Sequence, residues 1–125
     1  MSMMLRMIIG LSAVLALVSV AQADDQGDPE QSCDGNTFQM VGCLKAKTAQ
    51  WDKRLNVAYQ KAVQDAQPAQ RDQLRTAQRL WIQYRDASCL YYGMGEGTIA
   101  RLDAGECMRS MTEARARELE GLGQQ

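Results

Sequence analysis

Cys33, Cys43, Cys89 and Cys107 are the side chains with the widest chemical options in this sequence, and the absence of any histidine narrows those options. Thiolates hold zinc in C-x-x-C pairs or together with imidazoles. Neither pattern occurs, so no metal and no other cofactor is expected. An even cysteine count in a small exported domain points instead to disulfides. Lack of histidine also removes the usual general base, which excludes Ser-His-Asp and Cys-His catalysis. Carboxylate pairs such as Glu118 and Glu120 are most simply solvated on a charged helix. Nothing sets two of them across a cleft, as glycoside cleavage requires. Gly93, Gly95 and Gly97 alternate, but without the preceding strand or the spacing of a phosphate-cradling loop. The chemistry on offer is that of a binding protein, not an enzyme.

Two clusters carry that binding potential. In Trp81-Ile82-Gln83-Tyr84-Arg85-Asp86-Ala87-Ser88-Cys89, Trp81 and Arg85 share one helical face by their i, i+4 spacing. The pattern reads first as a core seam, with Arg85 reaching a carboxylate or the carbonyl end of another helix, and second as a ligand contact. Asp52 and Asn56, in Asp52-x-x-Leu55-Asn56-x-x-Tyr59, are the polar groups Arg85 is expected to meet. The second cluster runs from Tyr91 through Tyr92, Glu96 and Thr98. Tyrosines beside a glycine loop are a common composition for a recognition surface. The alternative expectation is that Tyr91 packs in the core and the glycines only turn the chain.

The elements that position these clusters follow from periodicity. Val41, Leu44, Thr48, Trp51, Leu55, Ala58 and Ala62 step by three and four, which predicts an amphipathic helix from Thr37 to Asp65, capped by Asn36 or Thr37. Gln67-Pro68 ends it, and Pro68 suits the first turn of a second helix carrying Leu74, Ala77, Trp81, Tyr84, Ser88 and Tyr91. Gly93 to Gly97 is expected to be a loop, because three alternate glycines favour neither helix nor strand. Thr98 then caps a third helix with Ile99, Leu102, Met108, Met111 and Leu119, ending near Gly121 and Gly123. Short connections make neighbouring helices antiparallel. The expected fold is an all-α, compact three-helix domain with two disulfides.

Ahead of that domain, Arg6 precedes an apolar run from Met7 to Val20, and Ala21-Gln22-Ala23 supplies the small residues that a signal peptidase requires. The run is shorter than the roughly 20 apolar residues of a membrane span, so residues 1–23 are expected to be a cleaved signal peptide. No stable membrane span is expected in the mature form, which is placed in the periplasm or outside the cell. Residues 24–32 hold four acids and no base, with Gly27 and Pro29, and read as a flexible acidic leader. Residues 33–125 form the helical domain, whose 13 basic and 11 acidic side chains leave a net charge of +2. So small an excess argues against a nucleic-acid partner bound by phosphate neutralisation.

Helical rise constrains the cysteines. Ten residues of helix span about 15 Å, whereas a disulfide needs Cα atoms within about 7 Å. Cys33 must therefore precede the first helix, on chain folded back by Asp34-Gly35-Asn36, if it pairs with Cys43. Short loops close most easily, which favours Cys33–Cys43 and Cys89–Cys107. Cys43–Cys89 with Cys33–Cys107 is the alternative, since an antiparallel hairpin sets Cys43 near the level of Cys89.

Taken together, Cys33…Cys43, Asp52-x-x-Leu55-Asn56-x-x-Tyr59, Ala77-Gln78-Arg79-x-Trp81-x-x-Tyr84-Arg85-Asp86-x-x-Cys89, Gly95-x-Gly97-Thr98-Ile99 and Cys107-x-x-x-Met111-Thr112-x-x-Arg115-x-x-Glu118-Leu119 resemble the LprI-like lysozyme inhibitor family. The resemblance covers almost all of the mature chain. It implies an envelope protein that blocks lysozyme, with a rigid loop plugging the substrate cleft and Tyr92, Glu96 and Thr98 as the partner-binding candidates. Two other roles fit the same residues: an envelope module with a protein partner other than lysozyme, and a binder of cell-wall fragments through Trp81, Tyr84 and Tyr92.

Overall fold

The computed structural model describes residues 32–122, so the signal peptide expected at residues 1–23 and nearly all of the acidic leader lie outside the described residues. Three helices account for the domain: α1 (Thr37–Asp65), α2 (Pro68–Gly93) and α3 (Ile99–Leu122). Asn36 starts α1. Its side-chain oxygen accepts from the Gln39 amide at 3.0 Å, while the Gln39 side chain accepts from the Asn36 amide at 3.0 Å. This reciprocal box satisfies two of the amides that a helix start leaves without partners. Proline stops α1 and opens α2, as expected. Arg71, one turn into α2, then reaches back to the exposed carbonyls of α1, donating to Val63 O at 2.9 Å and Ala66 O at 3.1 Å. The α1–α2 corner is thereby tied by one guanidinium.

The helices do not pack as an even triangle. α3 lies against both α1 and α2, which barely touch one another. Trp51, Leu55 and Ala58 of α1 meet Ala116 and Leu119 of α3 in the buried cluster, and Leu74 and Trp81 of α2 close its edge. Fully burying side chains such as Leu55 and Leu119 contributes about 1.5–3 kcal/mol each. Being covered from two sides, α3 needs small residues: Ala100 and Ala116 are buried, and Gly105 lies so near Leu44 that an added Cβ would stand 3.2 Å from its Cδ1. Ile99, expected on the core face of α3, is instead 59 % exposed. Thr112 and Arg115 are buried in the interior stripe of that helix.

Both disulfides join the local pairs, Cys33 to Cys43 and Cys89 to Cys107, with Cα separations of 5.6 and 5.4 Å. The alternative pairing is not formed. The reversal before α1 depends on Gly35, whose φ of +116° is costly for any residue with a Cβ. One boundary differs from expectation: Gly93 closes the last turn of α2, so the connection to α3 is residues 94–98.

Candidate functional site

The corner between α2 and α3 gathers the second of the two sequence clusters. Met94 N donates to Leu90 O at 3.0 Å and Gly95 N to Tyr92 O at 3.2 Å, so the chain leaves α2 in a hydrogen-bonded turn. Gly97 follows with φ +75°, a left-handed conformation that glycine adopts without strain. Thr98 stands immediately before α3, and its carbonyl accepts from Arg101 N at 3.2 Å. Residues 91–99 are all exposed, forming a projecting tip. Below the tip, the Cys89–Cys107 bridge ties the end of α2 to α3. Cys89 lies four residues before the end of α2, about 6 Å along the axis. The tip is thus a short loop on a cross-linked helical hairpin.

A groove of about 840 Å³ runs beside that bridge. α2 lines it with Tyr84, Ser88, Tyr91 and Tyr92, and α3 with Asp103, Glu106, Cys107, Ser110 and Met111. The Tyr91 and Tyr92 rings meet edge to face, with centroids 5.5 Å apart. The Met111 sulfur lies 3.7 Å from Cys107 Sγ and 3.9 Å from Cys89 Sγ, packing against the bridge. Hydrogen bonding from Arg109 holds the Glu106 carboxyl below its ordinary value against the opposing effect of partial burial, and Lys47 on α1 adds to the depression. Glu106 is therefore an anion at neutral pH. No cation pairs with Asp103 or with Glu96 among the described residues.

The first cluster is divided between interior and surface. Trp81 packs against the core, with Arg85 5.0 Å and Arg115 5.9 Å from its ring centre. Arg85 does not pair with Asp52 or Asn56. Its guanidinium is bound by the adjacent Asp86 at 2.9 Å, and Asn56 donates to Asp52 at 3.1 Å within α1. The reason is the position of α3, which separates α1 from α2. Arg85 and Asp52 do border one shallow hollow with Val41, Lys45 and Met108. A contact that periodicity does not reveal is Arg115, whose buried Nε donates to Gln78 Oε1 at 3.0 Å while Glu118 takes its outer nitrogen at 2.8 Å. The signal available in sequence was Gln78 on the inner face of α2, three residues before Trp81.

Electrostatically, three of the four arginines of α3 are held by carboxylates, whereas Arg101 in its first turn forms no ion pair among the described residues. Arg109 is held by Glu106 and Glu113, Arg117 by Glu113, and Arg115 by Glu118. Arg54 of α1 crosses to Glu120 at 2.9 Å, and this bond raises its pKa. No group of residues suited to hold a metal occurs among the described residues. None of their helices is long and apolar enough to cross a membrane.

The family model for lysozyme inhibitor LprI matches residues 28–119, from just before Cys33 to the core residue Leu119. The chain belongs to the LprI lysozyme inhibitor family. No match is found among curated proteins or solved structures. In this LprI family member, the α2–α3 corner has an exposed tip beside a groove, and Asp103 and Glu96 pair with no cation among the described residues.

Proposed function

We propose that this LprI family member is exported, sheds residues 1–23, and inhibits a lysozyme outside the cytoplasm by placing the α2–α3 corner in its substrate cleft. The observation that carries the reading is the Cys89–Cys107 bridge beneath an exposed loop, which fixes the tip on a rigid stem. Preorganisation of this kind lowers the ordering cost of binding. A lysozyme cleft presents two carboxyl groups at the scissile bond, and a protein that fills the cleft blocks it without chemistry of its own. Tyr92 contributes an apolar ring with a hydrogen-bonding hydroxyl. The backbone at Gly97, which has no Cβ, approaches a carboxylate closely, and Thr98 borders it. Glu96 meets a basic residue on the rim of the cleft.

The test is the clearing of a bacterial cell-wall suspension by lysozyme in the presence of the purified, oxidised protein. The parent is expected to slow clearing, whereas Tyr92→Ala and Glu96→Lys weaken the effect while helix content and melting temperature stay nearly unchanged. Unaltered inhibition in both variants would move the interface away from the corner. Binding to isolated peptidoglycan in the absence of lysozyme would favour a wall-fragment role instead.

A further inference from the structure

We infer that the groove between α2 and α3 takes a lysine or arginine side chain presented by a basic protein partner, an inference that rests on the lysozyme reading above. Three tyrosines line this groove, and they are 65 % (Tyr84), 75 % (Tyr91) and 49 % (Tyr92) exposed. Contiguous exposed aromatics on so small a protein mark an interaction site more often than a solvated surface. The groove lining contains two carboxylates, two serines and no lysine or arginine. Of its acids, Glu106 is bound on its rim by Arg109, but Asp103 has no cation among the described residues.

How the chain treats its two tryptophan rings points to the missing group. Trp51 is flanked by Arg54 at 4.3 Å and Arg117 at 4.8 Å, and Trp81 by Arg85 at 5.0 Å and Arg115 at 5.9 Å. Each of those guanidiniums also has a carboxylate partner. The groove offers the same two components, aromatic rings and carboxylates, and among the described residues no cation lies over its tyrosine rings. A cation over such rings gains from their quadrupole as well as from the carboxylate. The net +2 of the helical domain argues against a basic partner only as a whole-molecule average. Seven of its 13 basic side chains pair with the domain's own carboxylates, whereas the groove lining holds two carboxylates and no lysine or arginine.

Two measurements test this. The first is the affinity of the oxidised protein for a strongly basic lysozyme at low and high salt, for the parent, Asp103→Asn, Asp103→Lys and, as a control on the far end of α2, Asp72→Asn. Asp103→Asn is expected to weaken binding by roughly threefold to tenfold at low salt, with the difference shrinking as salt rises. Asp103→Lys should weaken it further, and Asp72→Asn should leave it unchanged. The second measurement uses N-acetyl-arginine amide at millimolar concentration as the probe, read by NMR shifts at Ser88, Ser110 and Tyr84. Those shifts are expected in the parent and lost in Asp103→Lys. Shifts with no lysozyme binding would overturn the inhibitor reading and support the groove as a cation site. Lysozyme binding that is indifferent to Asp103, with no shifts, would overturn the groove inference alone. Groove occupation by a wall saccharide that is equally strong in parent and Asp103→Lys, without arginine shifts, would overturn it as well.

Discussion

At the residue scale, the two tryptophans divide the work unequally. Trp51 is 3 % exposed and central to the buried cluster, whereas Trp81 packs on its edge. Truncating a buried aromatic costs the transfer energy of the ring and leaves a cavity, about 3–5 kcal/mol in total. Trp51→Ala is expected to show that full loss in urea denaturation, and Trp81→Ala a smaller one. The opposite order would mean that the α2 side of the core outweighs the α1–α3 side. Both tryptophans were legible in sequence as members of the inward stripes of their helices. Their ranking was not, because periodicity identifies a face but says nothing of how many neighbours cover it. The same limit hid Arg115. A buried arginine is tolerated here because Gln78, Glu118 and the Trp81 ring together replace its water, and those partners come from two helices.

At the element scale, the helix ends were set by local signals: the Asn36–Gln39 box, Pro68, and the glycines after Tyr92. Each acts through its own backbone, so each could be read without knowing the fold. α3 is where reading from sequence was weakest. Sandwiched between two helices, it has no single apolar face, and Ala100, Thr112, Arg115 and Ala116 fill its interior positions while Ile99 faces outward. Much of its surface order comes from a ladder of charges one turn apart, Glu106, Arg109, Glu113 and Arg117. Arg109 depresses the Glu106 pKa, with burial opposing. For Glu113 burial pushes upward, but hydrogen bonds from Arg117 and Arg109 prevail and hold it below the ordinary 4.5. A carboxyl with a depressed folded-state pKa adds stability that is fully present above its unfolded value and is lost as pH falls through the folded value. Melting temperature is therefore expected to drop as pH falls below 4.5 toward those depressed values. In Glu113→Gln that acid-side drop should be smaller. An identical drop in parent and variant would show that the ladder contributes nothing to acid sensitivity.

At the scale of the whole molecule, the arrangement separates a stabilising half from a presenting half. Toward the α1–α2 corner, Arg71 ties the helices and the core cluster is densest. Toward the α2–α3 corner, the interior thins, a disulfide replaces hydrophobic packing as the clamp, and aromatic rings stand open. A domain of this size has little apolar surface to spare for a second role, so leaving three tyrosines exposed is consistent with a partner that covers them. The tyrosine–glycine composition offered Tyr92, Glu96 and Thr98 as a candidate surface, and the fold leaves all three exposed. The groove behind them was not, because Asp103, Glu106 and Ser110 reach it only once α3 folds back along α2.

Whether the α2–α3 corner meets lysozyme is tested most directly by hydrogen exchange of the mature, oxidised protein with and without an equimolar basic lysozyme. Slowed exchange is expected over residues 90–99 and the first two turns of α3, with the amides around Arg71 to Arg79 unchanged. Protection confined to α1 or to the Arg71–Arg79 end, or no protection anywhere at concentrations where the lysozyme is saturating, would contradict a contact at that corner.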